Sequence, residues 1–133
     1  MAITHINPEE MSAPFGVWTT AVMSEPGKHL YISGVTARNK QGEVVGKGDM
    51  PAQTRQICEN LKTAVEAAGG SLKDIVNVTV YATDVTQFKT THAVRKEYFP
   101  ENPPASAMVE VTRLVDPECL IEISAVAAIG QSV

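Results

Sequence analysis

Residues 74–83, with the sequence DIVNVTVYAT, decide the fold of this chain. Apolar and polar side chains alternate along this stretch, with Val76, Val78, Val80 and Ala82 on one side and Asn77, Thr79, Tyr81 and Thr83 on the other. Successive side chains of a β-strand point to opposite faces of its sheet. The stretch therefore predicts a strand with one face against the core and the other face against a polar environment.

A helix is predicted on each side of this strand. Between Met50 and Ala68 the apolar residues fall at helical spacing, and charged residues occupy the opposite side. Asp49 suits the N-terminus of this helix, and Gly69-Gly70 suits its end. A second helix is predicted from Thr86 to Phe99, where the Pro-rich residues 100–104 end it.

Four further strands complete the pattern. Gly16 to Met23 and His29 to Gly34 are separated by a Pro-Gly turn, which predicts a hairpin. Ala105 to Leu114 and Leu120 to Ile129 predict two more strands, and the glycine-rich residues 37–48 predict a loop.

The resulting order, β-β-α-β-α-β-β, is typical of an α+β fold with two helices on one face of a sheet. Two helices cannot cover both faces, and the uncovered face would carry Thr79 and Tyr81. Sheets of this kind commonly cover such a face by packing on copies of themselves. We therefore expect an oligomer with sites where the subunits meet.

Composition limits the function classes. The chain has 133 residues, of which 44% are apolar and 20% charged, so we expect one globular domain over residues 1–133. A net charge of −4 without a basic cluster argues against a nucleic-acid partner. The apolar stretches are too short to span a bilayer, so we expect a cytoplasmic protein without a membrane partner.

The metal-binding residue types are sparse. Cys58 and Cys119 lack the spacing of a metal or redox motif and are expected to be reduced and structural. His5, His29 and His92 lack metal-ligand spacing to one another or to the cysteines, so no metal site is predicted.

Short stretches along nearly the whole chain form an ordered set: Ala21-Val22, Leu30 to Gly34, Gly48-Asp49, Ala52 to Thr54, Asn60-Leu61, Ala68 to Asp74, Val76 to Val80, Phe99 to Ala105, Val109 to Val111, Leu114 and Ile121 to Ile123. In order and spacing this set resembles the Rid (reactive intermediate deaminase, YjgF-like) family, some of whose members carry an older endoribonuclease L-PSP label. No single tetrapeptide carries the resemblance, which depends on the whole set.

The resemblance implies a chorismate-mutase-like fold, a homotrimer and three clefts between neighbouring subunits. It also implies cofactor-independent hydrolysis of enamines and imines, which gives a keto acid and ammonia. In such chemistry an arginine grips the substrate carboxylate through two charge-assisted hydrogen bonds, while a glutamate and backbone groups hold the water. The acidic balance of this chain does not favour the endoribonuclease label.

Three pocket positions depart from the family pattern. The family arginine follows a Pro-Ala pair, and here Pro104-Ala105 is followed by Ser106, which cannot supply a bidentate clamp. The resemblance further implies that Trp18 replaces a tyrosine and that His92 replaces an asparagine. Ser33, Gly34 and Glu122 match the family pattern.

Each candidate also has a structural interpretation. Glu122 lies between Ile121 and Ile123, where a carboxylate either faces solvent or lines a cleft and holds a water. His92 suits a hydrogen-bonded position at the helix boundary as well as a general base or donor. Ser106 and Ser33 have no base adjacent in sequence, so hydrogen bonding to a ligand is expected rather than nucleophilic attack. Trp18, the single tryptophan, suits an interface or a ligand stack.

Two hypotheses about function follow. In the first, the protein is a Rid-type deaminase or hydrolase of a small enamine, imine or related metabolite, with Glu122 and His92 as catalytic residues. Ser106, Trp18, Ser33 and Gly34 would then bind the substrate. In the second, the protein is a non-catalytic trimer that binds a metabolite, since the arginine is missing.

Overall fold

The computed structural model describes residues 3–130 as a mixed sheet, a small second sheet and two helices. The strands are β1 (Ile3–Ile6), β2 (Ala21–Ser24), β3 (Lys28–Val35), β4 (Ile75–Ala82), β5 (Ala105–Glu110) and β6 (Ile121–Ile129). The helices are α1 (Met50–Ala67) and α2 (Phe88–Tyr98). Single turns of 3-10 helix at Leu72–Asp74 and Val85–Gln87 lead into β4 and α2.

The main sheet has the strand order β3-β6-β4-β5. Strand β6 is antiparallel to both β3 and β4, whereas β4 and β5 are parallel and connected through α2. This mixed sheet with its two helices confirms the predicted α+β fold.

Strand β4 confirms the alternation on which the fold prediction rests, with one local change. Val78, Val80 and Ala82 are buried as expected, but at the start of the strand Ile75 is buried while Val76 is only half-buried. The pairing register with β6 shifts between Ile75 and Asn77. This irregularity moves Val76 out of the predicted alternation.

Helix α1 begins at the predicted residue. The Asp49 side chain accepts a hydrogen bond from the Ala52 backbone N–H at 3.0 Å, which satisfies one free donor of the first turn. Gly69, with φ +85°, follows the end of the helix in the left-handed conformation that glycine adopts easily. Helix α2 starts two residues later than predicted, because Val85–Gln87 forms the tighter 3-10 turn.

The predicted N-terminal hairpin is wrong. Strand β2 pairs with β1 in a separate two-stranded sheet, and β3 pairs with β6 instead of β2. Residues before β2 are held elsewhere, since the Thr19 backbone N–H donates to the Pro104 carbonyl at 3.1 Å and the Thr19 hydroxyl donates to the Pro103 carbonyl. These bonds attach the segment to the start of β5.

The core lies between the main sheet and the helices. Ile57, Leu61 and Val65 of α1 pack against buried residues of β4 and β6. On the opposite face Tyr31 is 76% exposed and Val109 is 44% exposed. Apolar and aromatic side chains therefore remain accessible on the face that the helices leave uncovered. We call this the open face, formed by Tyr31, Ser33, Asn77, Thr79, Tyr81, Ala107, Val109, Glu122, Ser124 and Val126.

Candidate functional site

The predicted site residues lie on two different faces of the main sheet. In the β4–β5 ladder Ser106 stands beside Val78, whose side chain points toward the helices. In the β4–β6 ladder Glu122 stands opposite Tyr81, which belongs to the open face. Within one chain, Ser106 and Glu122 therefore lie on opposite faces of the sheet.

The first group lines a pocket on the helix side, at the edge formed by β5. The pocket has a volume of about 460 Å³ and brings Trp18, His92 and Ser106 together, without Glu122. Its remaining lining comes from Phe15, Val85, Phe88, Met108 and Glu110. We call this the aromatic pocket. An adjoining groove of about 780 Å³ shares its aromatic residues and extends toward Lys89 and Lys96.

Edge-on ring contacts hold the aromatic pocket together. The Trp18 ring contacts Phe15 at a centroid distance of 4.7 Å and His92 at 6.2 Å. The Phe88 ring, one helical turn before His92, contacts it at 5.6 Å. Such edge-to-face pairs fix ring orientation as well as burying apolar area. The imidazole is thereby held between two aromatic side chains.

His92 is neutral at neutral pH. Burial lowers its pKa below the ordinary value of 6.5, and the positive charge of Arg95 lowers it further. A neutral imidazole carries one N–H donor and one acceptor nitrogen. His92 can therefore donate a hydrogen bond to a ligand oxygen or accept one from a ligand donor, and before any proton transfer it contributes no positive charge.

Sequence reasoning missed two residues of this region. Gly16 is required by space, because a Cβ there would come 2.6 Å from both the His92 ring and the Trp18 ring. Arg95 is only 1% exposed, and its Nη2 donates to Ser106 Oγ and to the Val17 carbonyl, both at 3.2 Å. Its position three residues after His92 and four before Phe99 placed it on the inward helix face, which was the available signal.

The second group lies where β3 pairs with β6. The β3–β6 register shifts between Ile32 and Val35, so Ser33 and Gly34 stand in an irregular part of the ladder. The Glu122 carboxylate occupies the space beside Gly34 in which a Cβ would otherwise lie. Gly34 and Glu122, with Ser33 next to Gly34 in the chain, form a second group, which we call the carboxylate cluster.

Two further features limit the chemistry of the described residues. Within residues 3–130 no three His, Cys, Asp or Glu side chains are grouped so that they could hold a metal ion. In the same part of the chain neither helix is both long and apolar enough to cross a bilayer.

Comparisons with known proteins agree with this architecture. A family model described as Endoribonuclease L-PSP matches residues 9–129. A RutC family protein from Pyrococcus horikoshii is 44% identical over 120 residues, which cover 90% of this chain and 92% of that protein.

Solved structures give the same result. A protein of unknown function of the Rid family from Yersinia pestis, YyfB, superposes with a TM-score of 0.90 at 36% identity, covering 97% of this chain and all of the other. RidA from an Antarctic Psychrobacter superposes with a TM-score of 0.72 at 31% identity, covering 95% and 99%.

The fold and the two clusters define a small α+β domain of the chorismate-mutase-like class. The chain belongs to the Endoribonuclease L-PSP family, the group that includes the YjgF, Rid and RutC proteins. The predicted family is confirmed, and with it a general association with small-metabolite deaminases and hydrolases.

Proposed function

We propose that this protein is a cytoplasmic, cofactor-independent deaminase of a small enamine or imine, working in clefts between the subunits of a homotrimer. The observation that carries the proposal is the separation of the predicted site into two clusters on opposite faces of one sheet. Each cluster is half of a site for imine hydrolysis. Packing of the open face of one subunit on the β5 edge of its neighbour would bring the carboxylate cluster of the first to the aromatic pocket of the second.

The chemistry requires one water and one proton carrier. Glu122 would take a proton from a water molecule while the water oxygen attacks the imine carbon, and it would pass that proton to the imine nitrogen, which gives a carbinolamine. The carboxylate would then carry the hydroxyl proton to the nitrogen as the C–N bond breaks. The C=N bond is thereby replaced by C=O, and ammonia leaves with both protons of the water. Across the cleft, Trp18 would stack on the substrate while His92 and Ser106 donate hydrogen bonds to it.

A second candidate is a non-catalytic trimer that binds a metabolite. It is favoured by the hydroxyl at Ser106, since this group lines the aromatic pocket where the resemblance implies an arginine. A binding protein needs the aromatic pocket but has no use for a water-activating carboxylate at Glu122.

An ammonia-release assay distinguishes the deaminase from the binding protein. Its substrate is 2-aminoacrylate, or the imine tautomer, generated in the assay mixture. The proposal expects turnover that falls by at least about a hundredfold in Glu122→Gln, because an amide cannot accept the proton of the water. Glu66→Gln, on the exposed side of α1, is the matched control and should retain full activity. Saturable ligand binding without ammonia release would instead support the binding protein.

The assembly is tested separately by light scattering. The proposal expects a particle of three chains at assay concentration. A monomer that still turns over the imine would show that the inter-subunit cleft is not required.

A further inference from the structure

Arg95 is a buried cation with an incomplete set of partners. Its side chain is only 1% exposed, and its two hydrogen bonds both come from Nη2. Its Nη1 is buried and finds no acceptor among residues 3–130. Burying a charged group without full pairing costs several kcal/mol, so such groups are found where another molecule or a function compensates for them.

No ionised side chain in the described part of the chain neutralises Arg95. The ion pairs within residues 3–130 join Arg38 to Asp116, Lys47 to Glu118 and Arg55 to Glu97. Cys58 is close enough to favour the charged guanidinium, but burial raises the pKa of this thiol to about 12, so it is neutral at physiological pH. Burial lowers the pKa of Arg95 only to about 10, which leaves the guanidinium positive. The interior next to β5 therefore holds an uncompensated positive charge.

Ser106 connects this charge to the aromatic pocket. Its Oγ accepts a hydrogen bond from Arg95 Nη2 at 3.2 Å, and the residue lines the pocket on the other side. A hydroxyl that accepts from a cation keeps its own proton free and becomes a stronger donor. The wall beside Ser106 is largely apolar, with Trp18, Phe88 and Met108, and in such surroundings a polarised donor acts more strongly than it would in water. Glu110, the acidic residue of this lining, is exposed and accepts a hydrogen bond from the Val85 N–H.

We propose that Arg95 is a positioning residue that makes the Ser106 hydroxyl an anion-binding donor, so that the aromatic pocket selects small carboxylates with an apolar body. The Arg95 guanidinium does not line the pocket itself. It polarises the Ser106 hydroxyl through one hydrogen bond, and that hydroxyl contacts the ligand. The inference rests on the proposed function only in taking the aromatic pocket as the ligand site, and it requires no turnover.

Trp18 provides the measurement, because it is the single tryptophan and lines the pocket. Its fluorescence is titrated at neutral pH with phenylacetate and with phenylacetamide, a neutral probe of the same shape. We expect wild type to bind the carboxylate at least about tenfold more tightly than the amide, the size expected for a charge-assisted hydrogen bond.

Variants assign the preference to the two residues. Arg95→Met and Ser106→Ala should both lose the preference for phenylacetate while their affinity for phenylacetamide is unchanged. Ser106→Thr, which keeps the hydroxyl, and Arg95→Lys, which keeps the charge, should restore it in large part. Arg55→Met is the matched control, since Arg55 is paired with Glu97 on the exposed helix surface. If Arg95→Met does not fold, Arg95→Gln, which is neutral but polar, takes its place, and a preference for phenylacetate that survives in it would contradict the role of Arg95.

Three results would overturn the inference: equal affinity of wild type for both probes, no saturable binding of phenylacetate, or a preference that survives in Ser106→Ala. A wild-type preference without ammonia release leaves this inference standing and refutes the proposed deaminase. Ammonia release without any carboxylate preference supports the proposed deaminase and refutes this inference.

Discussion

The carboxylate of Glu122 on β6 rests against the Cα of Gly34 on β3, in the volume that a Cβ at position 34 would take. The contact is possible because the β3–β6 ladder is irregular between Ile32 and Val35. Glu122 is thereby held in one place by the shape of the backbone beside it. The position of the proposed water-holding group thus depends on the absence of a side chain.

Gly34→Ala should displace the Glu122 carboxylate and lower ammonia release at least about tenfold, because small misplacements of catalytic groups have large effects on rate. The variant should keep its thermal unfolding midpoint within a few degrees, since residue 34 is exposed. The double variant Gly34→Ala with Glu122→Asp supplies the control, because the shorter carboxylate has room beside the new methyl group. Full activity in Gly34→Ala alone would contradict a role for this contact.

Tyr31→Glu should convert the proposed trimer to monomers. Tyr31 is 76% exposed on the open face, where a buried and unpaired carboxylate would oppose association of subunits. Light scattering measures the change directly. Thr63→Glu, at an exposed position of α1 on the other side of the molecule, should leave the assembly intact. A Tyr31→Glu variant that remains trimeric would show that the open face is not the interface.

His92 should make the protein less stable as the solution becomes acidic. Because its pKa in the folded protein lies below the unfolded value near 6.5, the unfolded chain binds the proton more readily below about pH 6.5, and the free energy of unfolding falls there. Above that pH His92 contributes no pH dependence. The lowered carboxyl pKa values of Asp84, Asp116 and Glu97 act only in more acidic solution.

Urea unfolding from about pH 5 to about pH 7.5 measures this effect, because histidine is the side chain that ordinarily changes charge in this range. In His92→Gln the decline between neutral and mildly acidic solution should be smaller than in wild type. Identical pH profiles for the two proteins would contradict a half-buried, neutral imidazole.

Gln53→Met should lower the free energy of unfolding by about 2 kcal/mol, since it leaves buried backbone groups unpaired. The Gln53 side chain donates to the Glu118 carbonyl at 2.9 Å and to the Gly46 carbonyl at 3.2 Å, and it accepts from the Leu120 N–H at 2.8 Å. It thereby attaches α1 to the loop before β6. Gln41→Met, in an exposed loop, should be nearly neutral in the same urea titration, and equal losses in both variants would refute this role.

Periodic patterns in the sequence determined the elements of the fold. The alternation in residues 74–83 and the helical spacing from Met50 onward depend on neighbours a few residues apart, so β4 and α1 appear almost as predicted. The hairpin prediction failed because strand pairing depends on distant partners. Two strands separated by a good turn pair only if no other strand competes, and here β6 takes β3 while β1 takes β2.

The candidate residues were predicted by type and by their family resemblance. The structure places Trp18, His92 and Ser106 in the aromatic pocket and Gly34 against Glu122, and their roles stay predictions. Their division between two faces was not predictable. Whether Ser106 and Glu122 share a face depends on the registers of β5 and β6 against β4, and a shift of one residue would exchange the faces.

The sequence by itself thus determined which segments are strands and helices and which side chains could carry chemistry, because these follow from local spacing and residue type. Only the tertiary structure decided that Arg95 lies buried behind Ser106, 3.2 Å from its hydroxyl. That contact joins residues of a helix and a strand whose separation is set by packing. A charged residue in a helical sequence does not reveal whether its side chain reaches solvent or crosses the core.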